Sequence, residues 1–170
     1  MPHALQPRPI NTERNFHMST ALRIRQRGIA TIEFAICAPV LLLLMLATAE
    51  VGRMMIQYNT LSKAVRDGAR YTARDAANGT TGTVLISNTV RNNTRNLVVT
   101  GTMAGTGTPL LPGLTVANVT VTDAGAGFIA VSATYTYQPM LGTALPTFGP
   151  RGAINTNIPL TATVVMRALL

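Results

Sequence analysis

The 170-residue sequence contains no tryptophan, four phenylalanines, one cysteine and two histidines. Both histidines, His3 and His17, lie near the N-terminus, so no histidine-based triad or metal site is expected in the remaining chain. The lone Cys37 has no second thiol with which to form a disulfide. Asp123 is the only carboxylate after Asp75, which argues against paired-carboxylate catalysis in the C-terminal part. We therefore expect no enzyme, no catalytic residues, no metal site and no cofactor.

The formal net charge of +8 is carried almost wholly by arginine, and half of it precedes Ile29. The nine basic and five acidic residues that follow are spread thinly along the chain, whereas a nucleic-acid interface needs a dense basic patch. The glycine-rich segment GTMAGTGT lacks the lysine of a phosphate-binding loop. We therefore expect neither a nucleic-acid partner nor a small-molecule substrate.

The N-terminal half begins with a polar, basic segment and continues as a long apolar run. Residues 1–28 have no periodicity long enough to bury a core and read as a basic leader, for which Met18 is an alternative start. Ile29–Ala49 contains Glu33 as its sole charge, and about 20 apolar residues suffice to cross a bilayer. We predict a transmembrane helix over this range, bent at Pro39, where one backbone hydrogen bond is lost.

The helical pattern continues past the apolar run. Residues 50–79 place apolar side chains three or four apart, which predicts one buried stripe on the extramembrane half of the same helix. The stripe consists of Met54, Tyr58, Leu61, Val65, Ala69 and Ala73. The dipeptide Asn78–Gly79 is a stop signal, so the predicted helix covers Ile29 to Ala77.

Residues 80–170 have the pattern of a small globular part. TVLISNTVRNNTRNLVV predicts a short second helix, and TGTMAGTGTPLLPG predicts a loop. LTVANVTVTD, GFIAVSATYTYQPML and NIPLTATVVMRAL alternate apolar and polar residues as strands do, and DAGAG joins the first two as a hairpin. The predicted fold class is α+β: a long N-terminal transmembrane helix whose amphipathic half packs on a small antiparallel sheet, with one short extra helix.

The stretch around Gly28 resembles the cleavage region of type IV prepilins. More narrowly, RGIATIEFAICAPVLLLL, followed by EVGRMMIQYNTLSKAVRDGARYTARD, resembles the TadE-like family of minor pilins, or pseudopilins, of the tight adherence (Flp pilus) system. The resemblance covers about residues 25–76. The motif positions are Arg27, Gly28, Ile32, Glu33, Phe34, Ala35, Pro39, Glu50, Gly52, Arg53, Ala64, Arg66, Asp67, Gly68, Ala69, Arg70 and Tyr71.

The resemblance implies that a prepilin peptidase cuts between Gly28 and Ile29. The leader charges are Arg23, Arg25 and Arg27. Cutting would leave an α-amino group on Ile29, and Glu33 of one subunit could pair with it on the next and set the register between them. The alternative from position alone is that Glu33, only four residues into the apolar run, reaches the lipid headgroups.

A second set of polar residues follows the predicted span. Arg66 and Asp67 occupy AVRDGARY, which the sequence alone reads either as a solvated helix face with weak ion pairs or as a contact surface. On the second reading, Glu50, Arg53, Arg66 and Asp67 contact neighbouring pilins, and Gly68 lets another element approach closely.

Together the patterns predict a single-pass protein of the bacterial cytoplasmic membrane, with its N-terminus in the cytoplasm and its C-terminal domain outside. The resemblance implies a role in assembly or initiation of a Flp-type pilus for adhesion and biofilm formation. It also implies prepilin peptidase, other pilins and tight adherence assembly proteins as partners, and the apolar run adds the lipid bilayer. Three alternatives remain: an assembly or secretion component that never enters the fibre, a binding domain released after Ala49, and a DNA-uptake pseudopilin.

Overall fold

The structure is a computed structural model of the chain. It describes residues 13–78, 83–140, 142, 144–145, 154–155 and 157–169, with side chains for residues 28–76, 83–140, 142 and 157–169. Two compact units are present, Met1–Thr48 and Ala49–Leu170. The elements in chain order are α1 (Glu13–Asp75), β1 (Ala77–Asn78), β2 (Thr83–Val84), α2 (Asn88–Thr100), a 3₁₀ turn (Val116–Asn118), β3 (Val119–Gly125), β4 (Phe128–Thr136), β5 (Ala144–Leu145), β6 (Ile154–Asn155) and β7 (Pro159–Arg167). This mixture confirms the predicted α+β class.

The long helix α1 has different ends from those predicted. It begins at Glu13, not Ile29, because a segment needs no buried stripe to be helical and the prolines of the leader all precede this point. It ends at Asp75, two residues early, because Ala77 and Asn78 leave the helix to pair with Val84 and Thr83 in an antiparallel bridge. Asn78, the first residue of the predicted stop, therefore belongs to a strand, and Gly79 lies outside the described residues.

The second helix is shorter than its sequence pattern suggested. The Ser87 hydroxyl caps its N-terminus by accepting a hydrogen bond from the Val90 amide at 3.2 Å. Gly101, in the left-handed conformation at φ 74°, ends it by donating its amide to the Leu97 carbonyl. Val84 to Ile86, included in the predicted helix, lie outside α2, where the Leu85 amide donates to the Ala76 carbonyl. The predicted loop after α2 is confirmed up to the 3₁₀ turn.

Three longer strands form an antiparallel sheet, as predicted, and their order in it is β3–β4–β7. The register places Val131 opposite Val121 on one side and Val164 on the other. The predicted first strand starts late, at Val119, because the 3₁₀ turn occupies residues 116–118. The hairpin turn between β3 and β4 is confirmed and contains three consecutive residues at positive φ, Gly125, Ala126 and Gly127.

One hydrophobic core lies between α1, α2 and the inner face of the sheet. On α1, Leu61, Val65, Ala69 and Ala73 are buried, as predicted. The prediction that Tyr58 is buried is wrong, since Tyr58 is 44% exposed and Gln57 is buried in its place. On a helix, buried positions recur either three or four residues apart. The buried residue before Leu61 is Gln57, four residues earlier, and not Tyr58, three residues earlier.

Gly68 is a point of close approach between α1 and α2. A Cβ atom on Gly68 would lie 2.6 Å from Cγ2 of Val98 and 3.3 Å from Cγ2 of Thr94, so no larger residue fits without displacement. This confirms the prediction that Gly68 admits a neighbouring element. One turn on, the buried hydroxyls of Thr72 and Thr94 lie 2.7 Å apart and hydrogen-bond across the same interface.

Candidate functional site

The long helix α1 carries all the residues predicted to be functional. In Gly28–Asp75 the helix contains a stretch of mean hydropathy 2.4, long and apolar enough to cross a membrane and with no residue of it buried. Its large apolar side chains are exposed; they include Ile29, Ile32, Phe34, Ile36, Leu42 and Leu44. An exposed apolar surface of this length is unstable in water and stable in lipid. One N-terminal apolar helix of this kind fits a single-pass membrane anchor.

The predicted cleavage region lies on this helix. A Cβ on Gly28 would meet no atom within 4 Å, and Ile29 is 55% exposed. Glu33, one turn further along, is also exposed. Arg23, Arg25 and Arg27 fall within α1, but their side chains lie outside the described ones. Gly28, Ile29 and Glu33 are therefore all accessible from outside the protein.

Pro39 lies within α1, which continues as a helix on both sides of it. Because proline has no amide hydrogen, the carbonyl four residues earlier loses its usual helical partner. No change of element occurs at this position, and the bend at Pro39 stays a prediction.

Glu50 is the most deeply placed polar residue of the predicted set. It is buried, and its Oε1 accepts a hydrogen bond from the Met140 backbone amide at 2.7 Å. Its Oε2 accepts a second, short hydrogen bond from the Tyr137 hydroxyl. A buried carboxylate that accepts bonds from fixed donors is stabilised by them. Glu50 thus fastens the segment after β4 to the long helix.

The Tyr137 phenol has a raised pKa in this position. Burial, the hydrogen bond to Glu50 and the negative charge of that carboxylate together raise the pKa of Tyr137 to about 12, although the nearby Arg53 acts in the opposite direction. Burial also raises the pKa of Tyr135, two residues earlier on the same face of the strand. Tyr137 therefore stays protonated and able to donate to Glu50 up to strongly alkaline pH.

Sequence reasoning singled out Glu50 but missed Tyr137 and Met140. The two ends of the bond are 87 residues apart, and their pairing depends on how the sheet lies on the helix. A signal was present in YTYQ, where period-two alternation places Tyr135 and Tyr137 on the same core-facing side.

The other three predicted contact residues lie at the surface. Arg53 is half-buried, whereas Arg66 and Asp67 are exposed. Asp67 forms an ion pair with Arg70 at 3.8 Å, one turn along the helix, and both side chains are more than half exposed. Such a pair contributes little to stability, so Arg66 and Asp67 are available to a partner.

The described residues bring together no group of three metal-binding side chains, and Cys37 is exposed on the apolar stretch. What the arrangement offers is an apolar helix surface, one carboxylate within that surface and a polar patch beyond it. These features suit association with lipid and with other helices.

A protein-family model described as TadE-like protein matches residues 28–70. The match begins at Gly28, includes Glu33, Glu50 and Arg53, and ends at Arg70, which confirms the family resemblance read from the motif. A search of curated proteins and a search of solved structures gave no match. The matched segment is 43 of the 170 residues, so the comparison shows a likeness to TadE-like proteins over this stretch of α1.

Proposed function

We propose that this chain is a membrane-anchored minor pilin, or pseudopilin, that acts in assembly or initiation of a Flp-type pilus for adhesion and biofilm formation. The observation that carries the proposal is the exposed apolar surface of α1 after Gly28, interrupted by a single carboxylate, on a helix that continues into a folded domain. This apolar surface lies within residues 28–70, the segment that matches the TadE-like family model.

In this proposal Ile29–Ala49 spans the bacterial cytoplasmic membrane once. Residues 1–28 are the basic leader, residues 50–79 are the extramembrane part of the helix and its end, and residues 80–170 complete the globular part. The leader arginines favour a cytoplasmic N-terminus, because basic residues next to a first span are retained on that side. The domain then lies in the periplasm or outside the cell, and entry of the protein into the fibre would carry the domain into surface pili.

Prepilin peptidase is the first proposed partner. It would cut between Gly28 and Ile29, where the glycine has open space around it and the isoleucine is exposed. Because the peptide bond between Gly28 and Ile29 lies in a helix, the helix must unwind locally before this bond can enter a protease active site. Release after Ala49 would instead require cutting beside Glu50, whose side chain is buried and hydrogen-bonded to the domain, and this disfavours a secreted binding domain.

Glu33 would act after that cut. The new α-amino group of Ile29 and the Glu33 carboxylate of a neighbouring subunit carry opposite charges in a low-dielectric bundle, where an unpaired member is strongly penalised. This pairing would set the register between subunits. Just outside the membrane, Arg53, Arg66 and Asp67 would contact other pilins or assembly proteins, whereas the Glu50 carboxylate is already bonded within its own domain.

Glu33→Ala tests the assembly role. Expressed in place of the wild type, it should be processed normally and yield few or no pili, whereas Cys37→Ala, an exposed position on the same stretch, should yield normal pili. Glu33→Gln should also yield few or no pili, because glutamine keeps the shape of the side chain and loses its charge. Normal pili from the Glu33→Ala strain would refute the pairing.

Shearing separates the fibre role from the machinery role. The proposal expects processed protein in the sheared surface fraction together with the pilus. Correct processing with retention of all the protein in the membrane fraction would instead assign it to the assembly machinery.

A further inference from the structure

A solvent-open cavity of about 300 Å³, lined by polar and apolar surface in similar amounts, lies between α2 and the 3₁₀ turn. Asn92, Arg95 and Asn96 line it from the helix, and Val116 lines it from the turn. Its volume is at the lower end of the range for small-molecule pockets and suits a group of about one sugar ring. No sequence motif predicts this cavity, and it is separate from the predicted pilin residues.

Arg95 presents a fixed positive group to the cavity. Its Nε donates a hydrogen bond to the Val119 carbonyl at 3.1 Å, and this bond orients the half-buried guanidinium. The two terminal nitrogens are left to donate to a ligand. Within the described residues it forms no ion pair. A guanidinium held in one orientation is well suited to a planar carboxylate, which it can bind through two parallel hydrogen bonds.

The surrounding charge also favours an anion. Arg91 precedes Arg95 by one helical turn, and its buried Nε has no hydrogen-bond partner among the described residues. Residues 76–170 contain a single acidic side chain, Asp123, and its carboxylate accepts a bond from the Gly125 amide in the hairpin turn. The arginines on α2 therefore have no carboxylate on their own helix to neutralise them.

The remaining walls are neutral and firmly built. Asn96 donates its side-chain amide to the Met103 carbonyl at 3.0 Å, which holds the following loop against α2. A Cβ on Gly105 would lie 2.8 Å from the Asn96 side chain, so the loop depends on glycine at this point, where φ is +68°. Asn92 is exposed beside the cavity, and Val116 adds an apolar surface.

We propose that this cavity binds a carboxylate-bearing sugar, with Arg95 holding the carboxylate, the amides of Asn92 and Asn96 meeting hydroxyl groups, and Val116 lying against the apolar C–H face of the ring. An anion alone would need only the guanidinium. The two asparagines and the valine match the hydroxyls and carbon face that distinguish a sugar acid. The inference does not depend on cleavage after Gly28, so either proposal can fail without the other.

The test is an NMR titration of the labelled full-length protein in detergent micelles. D-galacturonate should give saturable shifts at the side-chain amides of Asn92 and Asn96 and at Arg95. D-galactose, which lacks the carboxylate, and acetate, which lacks the hydroxyls, should each bind at least about ten-fold more weakly. Tetragalacturonate that binds more tightly than the monomer would identify a polysaccharide as the source, and equal binding would identify a free sugar acid.

A charge variant assigns the binding to this cavity. Asn92→Asp places a like charge beside the bound carboxylate and should weaken D-galacturonate binding about ten-fold or more, with the fold retained because Asn92 is exposed. Thr122→Asp adds the same charge on the outer face of the sheet and should bind as the wild type does. The proposal is overturned if D-galacturonate gives no saturable shifts, if acetate or inorganic phosphate binds equally well, or if Asn92→Asp binds unchanged.

Discussion

The bond between Glu50 and Tyr137 joins two residues that are distant in sequence and close in the fold. Charged groups are costly to bury unless they are hydrogen-bonded, and Glu50 has both the Tyr137 hydroxyl and the Met140 amide as donors. The pair therefore links the helix next to the predicted span to the segment that follows β4.

Tyr137→Phe should destabilise the protein by about 1.5–3 kcal/mol, because it removes one of the donors to a buried carboxylate. The measurement is chemical denaturation of the full-length protein in micelles, followed by circular dichroism. Tyr58→Phe is the matched control, since Tyr58 is exposed, and it should change stability by less than about 0.5 kcal/mol. Equal stabilities for the two variants would contradict the role of the bond.

The same pair predicts a sensitivity to alkaline pH. Folding raises the pKa of Tyr137 from 10.0 to about 12, so the folded state holds its proton more tightly than the unfolded state does. This contribution to stability is complete below about pH 10 and is lost as the pH rises toward 12. The stability difference between the wild type and Tyr137→Phe should therefore shrink over that window, and a difference independent of pH would argue against the assigned proton.

At the scale of elements, the contact between α1 and α2 depends on Gly68. Overpacking of Gly68→Ala against Val98 should cost about 1–3 kcal/mol, and the gain of about 1 kcal/mol in helix propensity offsets part of it, so the net destabilisation should be up to about 2 kcal/mol. Gly52→Ala, where a Cβ meets no atom within 4 Å, is the control and should be neutral or stabilising. Denaturation midpoints of the two variants give the comparison.

A second change in the same contact separates overpacking from other effects. Val98→Ala alone should be destabilising, because Val98 is fully buried. Combined with Gly68→Ala it should cost less than the two single changes added together, since the methyl group that clashes is gone. Additive costs would show that the close approach does not limit this interface.

Elements with regular periodicity could be predicted from sequence, and features set by packing could not. The spacing of Leu61, Val65 and Ala69 defined the buried side of α1, and alternation defined all three strands of the sheet. Tyr58 belongs to the predicted stripe because it lies three residues before Leu61, yet the adjacent Gln57 is buried instead. Local propensity cannot show which of two neighbouring faces a distant strand will cover.

Some residues of the candidate site could likewise be predicted from the sequence, and others could not. Gly28 and Glu33 could be found because their spacing is itself the motif, and the family match begins at that glycine. Tyr137 bonds to a residue 87 positions away, and the cavity beside Arg95 forms where the loop after α2 brings the 3₁₀ turn back to that helix. Those contacts follow from the antiparallel register and from the turn before β3, which no short motif encodes.

For the whole molecule, the account rests on an anchor that is processed and then packed with other subunits. Gly28→Val should block processing while leaving the fold intact, because a side chain at Gly28 meets no neighbouring atom. Gly52→Val, at another open helical position, should be processed normally. Immunoblots of cells with and without prepilin peptidase would show the two forms, and processing of Gly28→Val at the wild-type rate would contradict the assigned cleavage site.

The N-terminal sequence and intact mass of the protein isolated from its native membrane test directly whether it is processed as a prepilin. We predict that the chain begins at Ile29, having lost the leader that ends at Gly28, with or without a methyl group on the new amino terminus. A chain that begins at Glu50, or one that retains the leader, would contradict the account.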